Sequence, residues 1–152
     1  AVGEVGETVV EGCARALERK AAAWQGPRPP TSFASIREPT ISIQDYAQRA
    51  RKHMCCSIEC FVLSVVYVDR IVEKKPDILG PASMHRLWIV SMILAAKFND
   101  DVFFSNSFYG RVGGVQLAEL NRLEAAMLQL LDWKLHVTPE EFEVYRQTLS
   151  CN

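Results

Sequence analysis

Long apolar runs, a net charge of either sign and any spacing of metal ligands are missing from this 152-residue sequence. The longest apolar stretches, such as Leu87–Val90 and Met92–Ala96, fall far short of the roughly 20 residues of a membrane-spanning helix. Seventeen basic residues against eighteen acidic ones give a formal charge of −1. That balance argues against a surface holding nucleic acid or an anionic membrane non-specifically. The five cysteines are an odd count without paired CxxC spacing, so no zinc site is expected. They read as reduced thiols of an intracellular protein, nuclear or cytoplasmic. Cys56 and Cys60, four apart, share a face if one helix holds both. The acidic start, with Glu4 and Glu7, lacks the basic-then-apolar order of a secretory signal. HExxH, GxSxG and phosphate-cradling glycine motifs are absent, and His53, His85 and His136 stand in helix-end contexts without a nucleophile and acid around them. The expectation is a protein that is not an enzyme, with no catalytic residue, metal, cofactor or small-molecule substrate.

Helical periodicity is what the chain has in quantity. Thr8–Trp24 carries Val9, Val10, Cys13, Ala14, Leu17 and Ala21 at helical spacing, until Gly26, Pro27, Pro29 and Pro30 stop it. The stretch to Thr40 has no period. Ser42 caps a helix running to about His53. Ile58–Glu73 is apolar nearly all round, and its length favours a buried helix over a strand. Lys74–Pro81 is a turn. Met84–Phe98 is apolar on every side, which places it at the centre of a bundle. Asn99–Gly114 reads as a long connection, its Gly113-Gly114 a loop-to-helix hinge. Val115 to about Leu135 is amphipathic, and Thr138-Pro139-Glu140-Glu141 opens a last helix with a capping box. Trp88 and Trp133 read as core aromatics, and Trp24 as a contact between the first helix and the rest. The sequence predicts an all-α fold: an N-terminal packing helix in 1–25, a Pro-rich loop in 26–40 and a helical domain in 41–150.

The placement of charge is more informative than its sum. At about 100° per residue, Leu117, Leu120, Leu128 and Leu131 all lie within roughly 40° of Glu124. A carboxylate in that stripe costs several kcal/mol unless a cation and hydrogen-bond donors meet it. Lys97, the only lysine of the central helix, ends its apolar run, where a cation also suits the helix dipole. Lys97 and Glu124 are natural partners if those helices pack, and such a pair at the bundle surface offers donors and acceptors to a partner's backbone. Asp69 raises the same question, since Ile58, Val62, Val65 and Val72 share its face. Arg49 or Arg51 on the preceding helix supplies the expected cation, making an internal clamp.

The order of residues also resembles a known family. His85-Arg86-Leu87, Ser91, Ala95-Ala96-Lys97-Phe98 and Asp100-Asp101 resemble the central helix of the cyclin box. Asn106, Phe108-Tyr109, Val112-Gly113-Gly114-Val115, Glu119-Leu120-Asn121 and Leu123-Glu124 are similar to the P-type, or P/U-type, phosphate-pathway cyclins. Upstream, Ile43, Tyr46, Arg49, Ser57, Glu59-Cys60 and Tyr67-Val68-Asp69-Arg70 fit the same order, so the resemblance covers about Phe33 to Leu149. It implies a five-helix cyclin box with an additional N-terminal helix. It further implies a regulatory subunit that binds and activates a cyclin-dependent kinase by docking on the kinase αC helix and activation segment. Lys97 and Glu124 match the family's pair that hydrogen-bonds the kinase backbone, with Phe98, Phe103 and Phe104 as apolar contacts. Arg49 with Asp69 matches the internal ion pair. Two residues depart from the family, Gly110 where Ala is usual and Met127 where Phe is usual, and both read as leaving the helix face intact. Only one box is present, and Tyr46–Arg51 does not resemble the substrate-docking patch of cell-cycle cyclins. The alternative is a cyclin-fold adaptor of the transcription-factor type contacting DNA or other proteins. That reading wants a Lys- and Arg-rich face and a tandem repeat, neither of which the sequence has.

Overall fold

The computed structural model describes residues 2–151, and the regular structure of these residues is entirely helical. In chain order the described helices are α1 (Val2–Ala23), α2 (Ile43–His53), α3 (Glu59–Lys74), α4 (Met84–Asn99), α5 (Asn106–Gly113), α6 (Leu117–Leu130) and α7 (Pro139–Ser150). The pair α3 and α4 forms the centre, and their composition requires it. Every residue from Cys60 to Val68 of α3 is buried, as is every residue from Leu87 to Ala96 of α4. A helix apolar on all sides has no face to give to water. The hydroxyls and the indole N–H sealed between them are paired, as a low-dielectric interior demands. Trp88 Nε1 donates to Ser64 Oγ (3.0 Å), Ser64 Oγ donates to the Phe61 carbonyl (2.7 Å), and Ser91 Oγ donates to the Leu87 carbonyl (2.8 Å).

The N-terminal helix covers α2, α3 and α7 with the expected stripe, Val9, Val10, Cys13, Ala14 and Leu17. It begins at Val2 rather than Thr8, because Gly3 and Gly6 dilute the apolar period of a segment that is helical nonetheless. Gly12 sets how near α7 comes: a Cβ there would stand 1.9 Å from the Leu149 carbonyl oxygen. Arg28 then fastens the Pro-rich loop. Its Nη1 donates to the Leu79 carbonyl (2.6 Å), and its Nη2 to the Ala21 and Trp24 carbonyls (2.9 and 2.8 Å), satisfying open acceptors at the end of α1. Trp24 spends its Nε1–H on the Pro27 carbonyl (3.0 Å), inside this same turn. Phe33, 1% exposed, is the loop's anchor in the core.

Two further differences from the sequence reading lie before and after α6. The connection before α6 contains α5, capped by Ser105 Oγ accepting from the Phe108 N–H (3.3 Å) and closed by Gly114 at φ 70°. Six helices therefore follow α1 among the described residues, where five were expected. Within α5, Gly110 is not a neutral departure, because a Cβ there would stand 2.5 Å from the Val115 carbonyl oxygen. The second difference is that α6 stops at Leu130; Asp132 and Trp133 follow with positive φ, 54° and 59°.

Candidate functional site

Lys97 lies in the last turn of α4 and Glu124 in the middle of α6, and the two helices pack so that these side chains meet. Lys97 Nζ donates to Glu124 Oε1 at 3.1 Å and lies 2.8 Å from Oε2. The side chains keep 27% and 18% of their surface, so the pair is neither sealed in the core nor freely solvated. Asn106, the first residue of α5, completes the group: its Nδ2 donates to Glu124 Oε1 (3.2 Å) and to Asn121 Oδ1 (2.9 Å). Asn106 Oδ1 is shielded from water and receives no donor, whereas Glu124 Oε2, equally shielded, is met by the Lys97 ammonium. A second ion pair, Arg86 Nε to Glu119 Oε1 at 2.6 Å, ties the start of α4 to the start of α6. The fully buried stripe of α6 runs through Leu120, Leu123 and Met127 to Leu131, while Leu117 is 46% exposed. Glu124 thus stands at the edge of the stripe rather than in its middle.

Apolar side chains remain uncovered around this group. Phe98 is 55% exposed, Phe103 53%, Phe104 36% and Trp133 68%. Trp133 is a correction to the sequence reading, which placed it in the core. Its left-handed backbone turns it outward, and with Phe98, Leu131 and Leu135 it lines a groove of about 600 Å³. The strap carrying Trp133 is held down from α3. Arg70 donates to the Lys134 and His136 carbonyls (2.9 and 3.1 Å) and to Glu141 Oε1 (2.9 Å). Tyr67 Oη donates to the Leu135 carbonyl (2.8 Å), and Lys74 Nζ to the Leu130 carbonyl (2.8 Å). On the other side, Phe104 stacks on Phe108 with ring centroids 4.7 Å apart, and its N–H donates to Tyr109 Oη (3.0 Å). Phe104 is therefore an anchored ring with one face open, whereas Phe98, Phe103 and Trp133 are more than half exposed.

The expected clamp between Arg49 and Asp69 does not form. Asp69 pairs with Lys20 of α1 and accepts from Tyr145 Oη of α7 (2.6 Å). Arg49 is exposed on α2 and donates to the Arg111 carbonyl (3.3 Å). The reason is that the Asp69 face of α3 looks toward α1 and α7, a relation no single-helix rotation contains. Arg51, the alternative cation, folds over Gly6 instead, and its Nη1 finds no acceptor. Sequence reasoning also missed Asn106 and Trp133. The signal for Asn106 was a capping serine just before it, and for Trp133 the charged Asp132 and Lys134 on both sides. Among the described residues, no group of three or more His, Cys, Asp or Glu gathers as a metal site, and no helix is long and apolar enough to cross a membrane.

A single helical box with this charged pair on its surface agrees with the comparisons to known proteins. The Cyclin family profile matches residues 8–135. The chain is 45% identical over 115 residues to Cyclin-U3-1 of Arabidopsis thaliana, covering 76% of this chain and 52% of that protein. It is likewise 45% identical over 115 residues to Cyclin-P3-1 of Oryza sativa subsp. japonica, covering 76% and 49%. To Cyclin-U1-1 of Arabidopsis thaliana it is 43% identical over 115 residues, covering 75% and 55%. The chain belongs to the cyclin family and, within it, to the P/U-type cyclins. It spans about half the length of the curated relatives it matches.

Proposed function

We propose that the chain is the non-catalytic, regulatory subunit of a cyclin-dependent kinase. In this reading it docks on the kinase αC helix through Lys97, Glu124, Phe98 and Trp133, with Phe103 and Phe104 at the margin. One observation carries it: a part-exposed Lys97–Glu124 pair is accompanied by Phe98, Phe103 and Trp133, which the described residues leave more than half exposed. Arrangements of this kind, an apolar anchor next to a hydrogen-bonding charge, dominate interface energetics. Membership of the cyclin family supports the choice of partner.

A kinase transfers phosphate only when its β3 Lys pairs with the αC Glu and the DFG Asp holds magnesium. A rigid surface that binds the αC-in state better than the αC-out state shifts the population by that difference. Moving the equilibrium from mostly inactive to mostly active takes about 5.5 kcal/mol. A standard interface of about 1,600 Å² with a few strong anchors can supply it. Lys97 and Glu124 suit the polar part, offering a cation and a carboxylate to a helix end, and the groove between Phe98 and Trp133 suits an apolar side chain.

Lys97→Ala and Glu124→Ala test the reading. A part-exposed ion pair contributes about 1 kcal/mol or less to folding, so circular dichroism and the melting temperature should hardly change. Kinase binding, measured by calorimetry with a cyclin-dependent kinase captured from cell extract on the intact chain, should weaken by about 2 kcal/mol or more, roughly thirtyfold. Variants that unfold the domain, or bind as the parent does, would make the pair structural.

A further inference from the structure

Two arginines and a histidine converge where α2 packs on α5. Arg49 and His53 stand four apart on α2, and Phe108, Arg111 and Val112 stand three and four apart on α5, so each set shares one helix face. Tyr46 Oη donates to the Gly113 carbonyl (2.5 Å), pinning the two helices to each other. Between them these five side chains line an open hollow of about 510 Å³. Arg49 is anchored there by one hydrogen bond, Nη2 to the Arg111 carbonyl (3.3 Å), which leaves the remaining N–H groups of the guanidinium to donate elsewhere. No carboxylate lines the hollow, and among the described residues none forms an ion pair with Arg49, His53 or Arg111. Arg70, Arg86 and Arg146, by contrast, each meet a glutamate. The helix dipole favours a cation in the last turn, which suits His53 on α2 and Arg111 on α5. It gives no reason for the two to face Arg49 across one hollow. Arg111 also leaves α5 about 140° round from Asn106, so the hollow lies off the face that carries Lys97 and Glu124.

We propose that the hollow between α2 and α5 is a docking site for a phosphorylated peptide segment, a phosphoserine or phosphothreonine with an apolar side chain beside it. Charge and shape both select this occupant. A phosphoryl group carries about −1.5 to −2 and offers three strong acceptor oxygens, which the two guanidiniums match in charge and in paired N–H donors. His53 adds a ring nitrogen at the rim. A carboxylate side chain brings half the charge and fewer acceptors, so an acidic peptide fills the site less well. Phe108, held by its stack on Phe104, and Val112 form the uncharged wall, which takes the apolar neighbour of the phosphorylated residue. A nucleic acid is disfavoured, because it needs cations along a track of phosphates. Here Asp45, exposed one turn before Arg49, ends the cationic stretch of α2, and the chain carries −1 in all. The site gives this chain a hold on partners already phosphorylated, whatever binds at Lys97 and Glu124.

Peptide libraries with a fixed central phosphothreonine, threonine or glutamate, passed over the immobilised intact chain, test the assignment. The phosphothreonine library should be retained about tenfold more than either of the others, with apolar residues enriched beside the phosphate. Peptides made from that retained fraction should bind in fluorescence anisotropy, and Arg111→Gln and Arg49→Gln should each weaken them about tenfold or more. Arg49→Lys keeps the charge and loses the fork, so it should recover only part of the binding. Phe108→Ala should erase the apolar preference and keep the dependence on phosphate. Arg111 is exposed, so Arg111→Gln should melt as the parent does and decides the matter if the other variants loosen α5. Equal retention of the three libraries, or phosphopeptide binding untouched by Arg111→Gln, would overturn the proposal. So would single-stranded DNA of matched charge displacing the peptide at no higher concentration, which would make the hollow a polyanion site. Lys97→Ala should bind the phosphopeptides as the parent does, which keeps this test apart from the kinase reading.

Discussion

At His85 the ring is edge-on to Tyr46 (centroids 5.1 Å), Nε2 lies 2.7 Å from the Ile41 carbonyl, and Nδ1 is shielded without a partner. A carbonyl only accepts, so Nε2 carries the proton and Nδ1 none. A second proton would bury an N–H with no acceptor. Burial accordingly holds the imidazole below its usual 6.5. The unfolded chain takes up that proton more readily, so stability falls as pH drops below 6.5. His85→Gln, whose amide still donates to Ile41, should flatten this acid limb of melting temperature against pH; an unchanged limb would assign the sensitivity to other groups. Trp133→Ala separates binding from folding. An exposed side chain should alter stability by about 0.5 kcal/mol or less, whereas an interface anchor lost at that position should weaken kinase binding by about 2 kcal/mol. Equal effects on both would return Trp133 to a structural role. At this scale the sequence was informative wherever chemistry clashed with its neighbours. Lys97 and Glu124 stand out as charges beside leucines, and the structure joins them. Asp69 stands out in the same way, but its partners, Lys20 and Tyr145, come from helices that a rotation of α3 cannot name.

Among the helices, those with long apolar periods were legible and the short one was not. The centres of α3 and α4 follow from apolar residues on every side, and α2 and α7 from Ser42 and Thr138, whose oxygens accept the Asp45 and Glu141 N–H groups (3.0 and 3.1 Å). The eight residues of α5 offer barely two turns of pattern and include two glycines, so their helix depends on Ser105, Gly114 and packing on α6. The end of α6 escaped because Leu131 and Leu135 prolong its period across Asp132 and Trp133, where the backbone turns left-handed. The contact of α1 with α7 is equally invisible in sequence, since Gly12 looks like a helix-weakening residue until Leu149 lies over it. Gly12→Ala gains helix propensity and loses more by overlap with the Leu149 carbonyl. It should cost about 2 kcal/mol and lower the melting temperature by about 4–8 °C. A melting temperature that rises would mean α7 yields without penalty.

On the scale of the whole molecule, the enclosed pair α3 and α4 is a rigid scaffold, and what it presents lies at one end. There the Lys97–Glu124 pair, Asn106, the Phe98–Trp133 groove and the α5 aromatics stand together, fixed by Arg70, Tyr67 and Lys74 from behind. Under the proposed role fixity matters, because a surface that adapts equally to both kinase conformations shifts neither. The most direct test of the account is the phosphotransfer rate of the captured cyclin-dependent kinase as this chain is titrated in. The rate should rise saturably with the parent chain, and Lys97→Ala and Trp133→Ala should move the midpoint to about thirtyfold higher concentration. A kinase that binds the chain at this face with no gain in rate, or is activated by both variants at the parent chain's midpoint, would contradict it.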